Sequence, residues 1–276
     1  MRDSGMNESF EFRPEIRLEK VFFFYPETEQ LVFTDLSIEL PKGVTTLVGQ
    51  NGTGKSTLLL LAAGILLPVE GTVYLQEIDT RNLREEQERQ RYVSLVYQNM
   101  EFETDETIGD LLEYVHENGF QETKDPGLVS NLVDVCELNK VLGKKTQEVS
   151  KGELQRTIVA FSLLYGSRII MMDEPIFALE EYQKHRIMDF LFDYSRAQDI
   201  SLYYSVHELD ISEKYSDYLL LFHKNGRLEL GQTKQLFTKE NIEEAYEVPY
   251  TMLKHKETIY RETLQDLSSK GSSDPS

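Results

Sequence analysis

The sequence predicts an α/β fold, a parallel and doubly wound sheet with a mainly helical stretch inserted into it. Three observations lead there. The β-branched run "VTTLVG" (44–49) feeds a glycine-rich loop and then a leucine-rich helix. From residue 153 onward helical and strand-like patterns alternate, which calls for parallel strands joined by crossovers. Residues 104–142 are mostly helical by pattern, broken at "NG" (118–119) and "DPG" (125–127).

In chain order, residues 1–14 are polar or charged and are expected to be disordered, as is the end of the chain from about residue 266. "EGTVYLQ" (70–76) reads as an antiparallel strand. After the helical insert come a helix, the strand "RIIMM", a helix from 180, the strand "ISLYYSV", a helix and the strand "DYLLLFH". "KNGR" (224–227) then makes a hairpin turn into "LELG".

Composition narrows the function classes. With 29 basic and 48 acidic residues the formal charge is −19, which repels nucleic acid and anionic lipid unless a basic patch gathers locally, and none is evident. The single cysteine, Cys136, excludes an intrachain disulfide and reads as a small buried hydrophobe. The longest apolar run, "LLLLAAGILL" (58–67), is about half a bilayer span, and the first residues lack the apolar core of a signal peptide. The expectation is a soluble chain, or one held to a membrane only by another polypeptide.

"GQNGTGKST" (49–57) fits a phosphate-binding loop, with a strand before it and a helix after. Backbone N–H groups of residues 51–57 (Asn51, Gly52, Thr53, Gly54, Lys55, Ser56, Thr57) would cradle phosphates at the helix N-terminus. Lys55 would reach the β- and γ-phosphates, and the Ser56 hydroxyl would coordinate Mg²⁺. "RIIMMDEP" (168–175) ends a buried strand in two carboxylates, an expensive arrangement without a cation or proton traffic. Asp173 would hold Mg²⁺ and Glu174 would polarise the attacking water. The bland alternative makes Asp173 the N-cap of the next helix, with Pro175 in its first turn. Gln98 and His207 each follow a strand, where the amide would bind Mg²⁺ or the lytic water. In "EVSKGELQR" (148–156), Ser150 and Glu153 compose a capping box that starts a helix.

Taken in order, the phosphate loop, Gln98, "VSKGELQR", "MMDEP" and His207 resemble the nucleotide-binding subunit of an ATP-binding cassette (ABC) transporter, over roughly residues 16–250. The resemblance implies a P-loop NTPase (RecA-like) core with an N-terminal antiparallel β subdomain. A helical subdomain at about 99–153 would carry the signature, and 251–276 would form a C-terminal extension. It implies ATP and Mg²⁺ as cofactors, Tyr25 stacking on adenine, Gly49 opening the phosphate loop, and His207 contacting the γ-phosphate. Ser150 and Gly152 would close on ATP held by a second ABC subunit, identical or different. A transmembrane permease would be the driven partner, with an extracytoplasmic substrate-binding protein in uptake systems and no nucleic acid. The chain would then lie on the cytoplasmic face of the cell membrane. Tail residues 207–249 resemble ATPases for uptake of iron chelates, haem or cobalamin.

Departures from the family pattern are Lys151 and Glu153 in the signature, and Phe177 and Glu180 in "IFALE" (176–180), which bear on the hydrolysis rate and leave room for an asymmetric heterodimer. The competing classes are an exporter motor, a soluble ABC-type ATPase acting on nucleic acid or the ribosome, and a scaffold that binds ATP without turnover. The acidic loop "EFETDE" (101–106) is either a solvated loop or part of a docking groove for a basic helix of the partner.

Overall fold

A computed structural model describes residues 14–254, except 28, 29, 99 and 178. The disorder expected at the chain ends falls outside these residues with one correction: Pro14 already belongs to the first strand.

The chain opens with β1 (Pro14–Tyr25), β2 (Gln30–Pro41), β3 (Val44–Gly49) and α1 (Lys55–Ala62), followed by β4 (Glu70–Leu75) and β5 (Ile78–Asp79). Four of these make an antiparallel sheet in the order β2-β1-β4-β5. Ile16 and Leu18 face inward by alternation, and so do Val21 and Phe23, out of phase with the first pair. The phase changes at a bulge around Lys20, whose φ is 49°. An extra residue there lets both halves of β1 bury their apolar side chains on one face.

Next come α2 (Glu86–Gln90), β6 (Val93–Val96), α3 (Ile108–Asn118), α4 (Leu128–Val135), α5 (Lys151–Leu164) and β7 (Ile169–Asp173). The remainder is α6 (Glu181–Ala197), β8 (Ser201–Ser205), α7 (Leu209–Lys214), β9 (Tyr218–Phe222), β10 (Leu228–Gln232), α8 (Thr233–Leu236) and α9 (Lys239–Tyr246). The second sheet runs β10-β9-β3-β8-β7-β6, parallel throughout except for the β9–β10 hairpin. Strands β3, β7 and β8 are buried at every residue, which explains why they read as continuous apolar or β-branched runs rather than alternations.

Two large cores flank the parallel sheet. One joins α1 to the antiparallel sheet through Leu58, Leu61, Phe23, Phe33 and Val73. The other packs α3, α4 and α5 with α6 through Leu112, Leu132, Ile158 and Ile187. Cys136 belongs to this second core, just past the end of α4, where burial pushes its thiol up to about 12. The apolar run 58–67 is helical only to Ala62, and among the described residues no helix is long and apolar enough to cross a membrane.

One buried ion pair ties α6 to the segment after β8. Lys184, 2% exposed, donates to Glu208 at 2.5 Å. Lys184→Ala would strand the Glu208 carboxylate, and a loss of about 3–5 kcal/mol is expected in urea denaturation. Lys184→Met combined with Glu208→Leu is expected to regain most of that loss, because no charge is left buried alone.

Candidate functional site

Parallel pairing carries the C-terminal ends of β3, β6, β7 and β8 to one edge of the sheet. Gly49 ends β3, Asp173 ends β7, and Gln98 and His207 follow β6 and β8 by two residues. Loops at this edge are where α/β sheets bind ligands.

The loop between β3 and α1 is shaped by its glycines. A Cβ on Gly49 would lie 2.6 Å from the Phe222 carbonyl oxygen, so only glycine lets β3 pack this closely on β9. Gly54, with φ 101°, turns the chain into α1 against Phe33 and Val32. Thr53 Oγ1 donates to the Gln50 carbonyl at 2.8 Å and tightens the loop. Lys55 is buried, and its ammonium donates to the carbonyls of Gly49 and Gln50 at 2.8 and 2.9 Å. Burial lowers its pKa from the ordinary lysine value, opposed by the nearby carboxylates of Glu174 and Asp173. Asn51, Gly52 and Ser56 are exposed. Tyr25 lies beside the same loop, its hydroxyl 3.1 Å from Thr57 Oγ1, with its ring edge-on to Phe23.

Three of the expected residues meet at a single carboxylate. Gln98 Nε2 donates to one Glu174 oxygen at 2.9 Å, and His207 Nε2 lies 2.7 Å from the other. Glu174 adopts φ 53°, an uncommon conformation for a side-chain-bearing residue, and its N–H reaches back to Ser205 across the strand pair. The alternative of Asp173 as a helix cap is overturned. The next helix, α6, starts only at Glu181 and is capped by Glu180 with Gln183, and Pro175 sits in the turn between. The carboxylates of Asp173 and Glu174 therefore belong to the strand end.

The helix at "SKGELQR" begins as the capping box required. Ser150 Oγ accepts from the Glu153 N–H at 3.3 Å, while the Glu153 carboxylate accepts from Ser150 N–H and Oγ, each at 2.8 Å. These bonds hold the Glu153 carboxyl below the usual glutamate range, the backbone bond contributing most. Lys151 points to solvent and Gly152 is half-buried. Gln155, on the same helix, donates to the Pro175 carbonyl at 3.1 Å and fastens α5 to the acidic strand end. Ser150 engages its own helix start, and Gly152 lies in the first turn of the same helix.

Residues 33–177 match the family model described as "ABC transporter". The chain belongs to the ABC transporter family. It is 30% identical over 232 residues to a putative ABC transporter ATP-binding protein of Archaeoglobus fulgidus, covering 82% of this chain and 94% of that protein. It is 23% identical to the iron(3+)-hydroxamate import ATP-binding protein FhuC of Bacillus subtilis, covering 80% and 84%. The structure of a dimeric ATP-binding cassette in a post-hydrolysis state with ADP and Pi superposes with a TM-score of 0.68 at 20% identity, covering 79% of this chain and 98% of the other. As an ABC transporter ATP-binding subunit, the chain is an ATPase coupled to transport, in a family whose ATPase subunits dimerise and work with membrane permease components.

Two residues at this ABC site escaped the sequence reading. Ser205 bridges Asp173 and Glu174, and the only local signal was a serine ending a strand buried throughout. Gln50, in the loop itself, donates to the Tyr246 carbonyl at the end of α9, a contact across 196 residues that local pattern does not reveal.

Glu153→Ala removes half of the box, and a loss of about 1 kcal/mol is expected at neutral pH. Because the folded carboxyl lies below the ordinary glutamate value of 4.5, this difference is present above that pH and is lost as pH falls through the lowered value. Paired melts of the two proteins from pH 7 to 3 read it directly.

Proposed function

We propose that this chain is the ATP-hydrolysing motor of an uptake system for a metal chelate, haem or a cobalamin-like molecule. It would act on a separate permease from the cytoplasmic face of the cell membrane. The observation that carries the motor reading is the Glu174 carboxylate held between Gln98 and His207, beside Asp173 and the buried Lys55. The uptake class is supported by the tail 207–249 and by the likeness to the iron(3+)-hydroxamate importer subunit. In this reading residues 15–250 are the ATPase unit, with 99–153 as its helical subdomain.

Each side chain then has a task. Tyr25 receives the adenine, and the amides from Asn51 to Thr57 receive the phosphates at the start of α1. Lys55 exchanges the carbonyls of Gly49 and Gln50 for the β- and γ-phosphate oxygens. Glu174 orients or deprotonates the attacking water, and His207 turns from it to the γ-phosphate. The Ser56 hydroxyl, the Asp173 carboxylate and the Gln98 amide carbonyl are the hard oxygen donors that Mg²⁺ takes, and Gln98 already bonds Glu174 through nitrogen, which leaves its oxygen to ligate. Bound there, Mg²⁺ would neutralise charge on the β- and γ-phosphate oxygens. Ser150, Gly152 and the positive end of α5 complete the site on a second ABC subunit, the same chain or a different one. An extracytoplasmic binding protein would select the cargo.

Glu174→Gln with Mg-ATP is expected to pass from monomer to stable dimer in size-exclusion chromatography, and the wild-type subunit is expected to recover a multi-spanning membrane protein from native membranes. A variant that stays monomeric with ATP bound contradicts self-pairing. Recovery of nucleic acid instead of a membrane protein contradicts the transport reading.

The exposed acidic loop after Gln98 faces the permease in this reading, with Asp105 already paired to Lys145. Glu101→Lys with Glu103→Lys is expected to weaken assembly, more at low salt than at high. Unchanged assembly leaves the loop merely solvated.

A further inference from the structure

We propose that Ser205 is the positioning residue of the acidic strand end, one buried hydroxyl that sets both the rotation of the Asp173 carboxylate and the placement of the Glu174 backbone. The inference rests on the roles proposed above for Asp173 and Glu174.

Ser205 ends β8 directly opposite Asp173 at the end of β7, and it is fully buried. Its Oγ donates to Asp173 Oδ1 at 2.5 Å and accepts from the Glu174 N–H at 3.1 Å. The same N–H also reaches the Ser205 carbonyl at 3.2 Å. The two side-chain bonds fix the direction of the hydroxyl. An amide can only donate, so it occupies an Oγ lone pair and leaves the proton to the carboxylate. A bond from hydroxyl to ionised carboxylate in a buried setting is of the strong, charge-assisted kind.

Both partners need such a hold. Asp173 would present one oxygen toward the metal, and engaging Oδ1 stops the carboxylate from rotating about its Cβ–Cγ bond. Glu174 sits at φ 53°, a backbone conformation that persists only where its surroundings over-determine it. The anchored N–H supplies that constraint and so aims the carboxylate that Gln98 and His207 hold from the other side. The motif residues lie together on one strand, while the group that aligns them comes from its neighbour.

The test uses the full-length protein with a fluorescent ATP analogue, measuring affinity in EDTA and across a Mg²⁺ titration, together with ATP turnover. Ser205→Ala is expected to leave metal-free affinity unchanged. The gain in affinity from Mg²⁺ is expected to shrink, and kcat to fall, by about 10- to 100-fold, the factor that a charge-assisted hydrogen bond corresponds to, with KM nearly constant. Ser205→Thr keeps the hydroxyl and is expected to restore both. If the alanine protein does not fold, the near-isosteric Ser205→Cys, a weak donor, takes its place with a loss in the same direction. Wild-type Mg²⁺ dependence in Ser205→Ala, or a threonine variant as impaired as the alanine one, overturns the proposal. A parallel Glu174→Gln measurement separates the two levels, since turnover surviving that change brings down the roles of the acidic pair, whereas its loss with an indifferent Ser205 brings down only the positioning.

Discussion

The parallel register of β3, β8 and β7 is the constraint on which the site depends. Strand β8 lies between the other two, paired from Val44–Leu202 on one side and from Ile169–Ser201 on the other. A slip of one residue would turn Ser205 away from Asp173 and break the hold on Glu174. The register is fixed by complete burial: Leu47, Met171, Met172, Tyr203 and Tyr204 are each inaccessible to solvent, and the Tyr203 and Tyr204 hydroxyls close on the carbonyls of Pro41 and Tyr215. Shifting a strand would expose apolar area and orphan both phenols at once.

From that register follows a division between buried strand-end groups and groups carried on loops. Lys55, Asp173 and Ser205 are buried among strand ends, while Gln98 and His207 stand on the loops after β6 and β8 and converge on Glu174 from outside the sheet. Glu208, next to His207 in the chain, pairs with the buried Lys184 of α6, whose cap residue Glu180 lies six residues beyond Glu174. Gln155 links the signature helix to the same acidic turn. Side chains that would sense the γ-phosphate, the water and the dimer seam are thus hydrogen-bonded to elements that meet near Glu174.

What could be read from the sequence follows the range of the interactions. The phosphate loop, the capping box at Ser150 and the hairpin at "KNGR" are each closed within a few residues, so pattern sufficed for them. The parallel sheet was legible because β3, β7 and β8 are apolar or β-branched without alternation. The β1 bulge at Lys20 was not legible, since it depends on pairing with two other strands. Ser205 and the φ of Glu174 escaped for the same reason, and Asp173 invited a helix-cap reading because Pro175 two residues on suits a first helical turn in isolation. The order of the motifs suggested roles, and the structure adds hydrogen-bond partners for Lys55, Gln98, Glu174, His207 and Ser150.

In the proposed function these strand ends form one half of an ATP site completed by the signature of a second subunit. A crystal structure of the Glu174→Gln protein with Mg-ATP tests it most directly. The expected result is a γ-phosphate within hydrogen-bond distance of Lys55 and His207 of one subunit and of Ser150 of the other. ATP bound with its γ-phosphate open to solvent, and Ser150 still turned to its own Glu153, would contradict it.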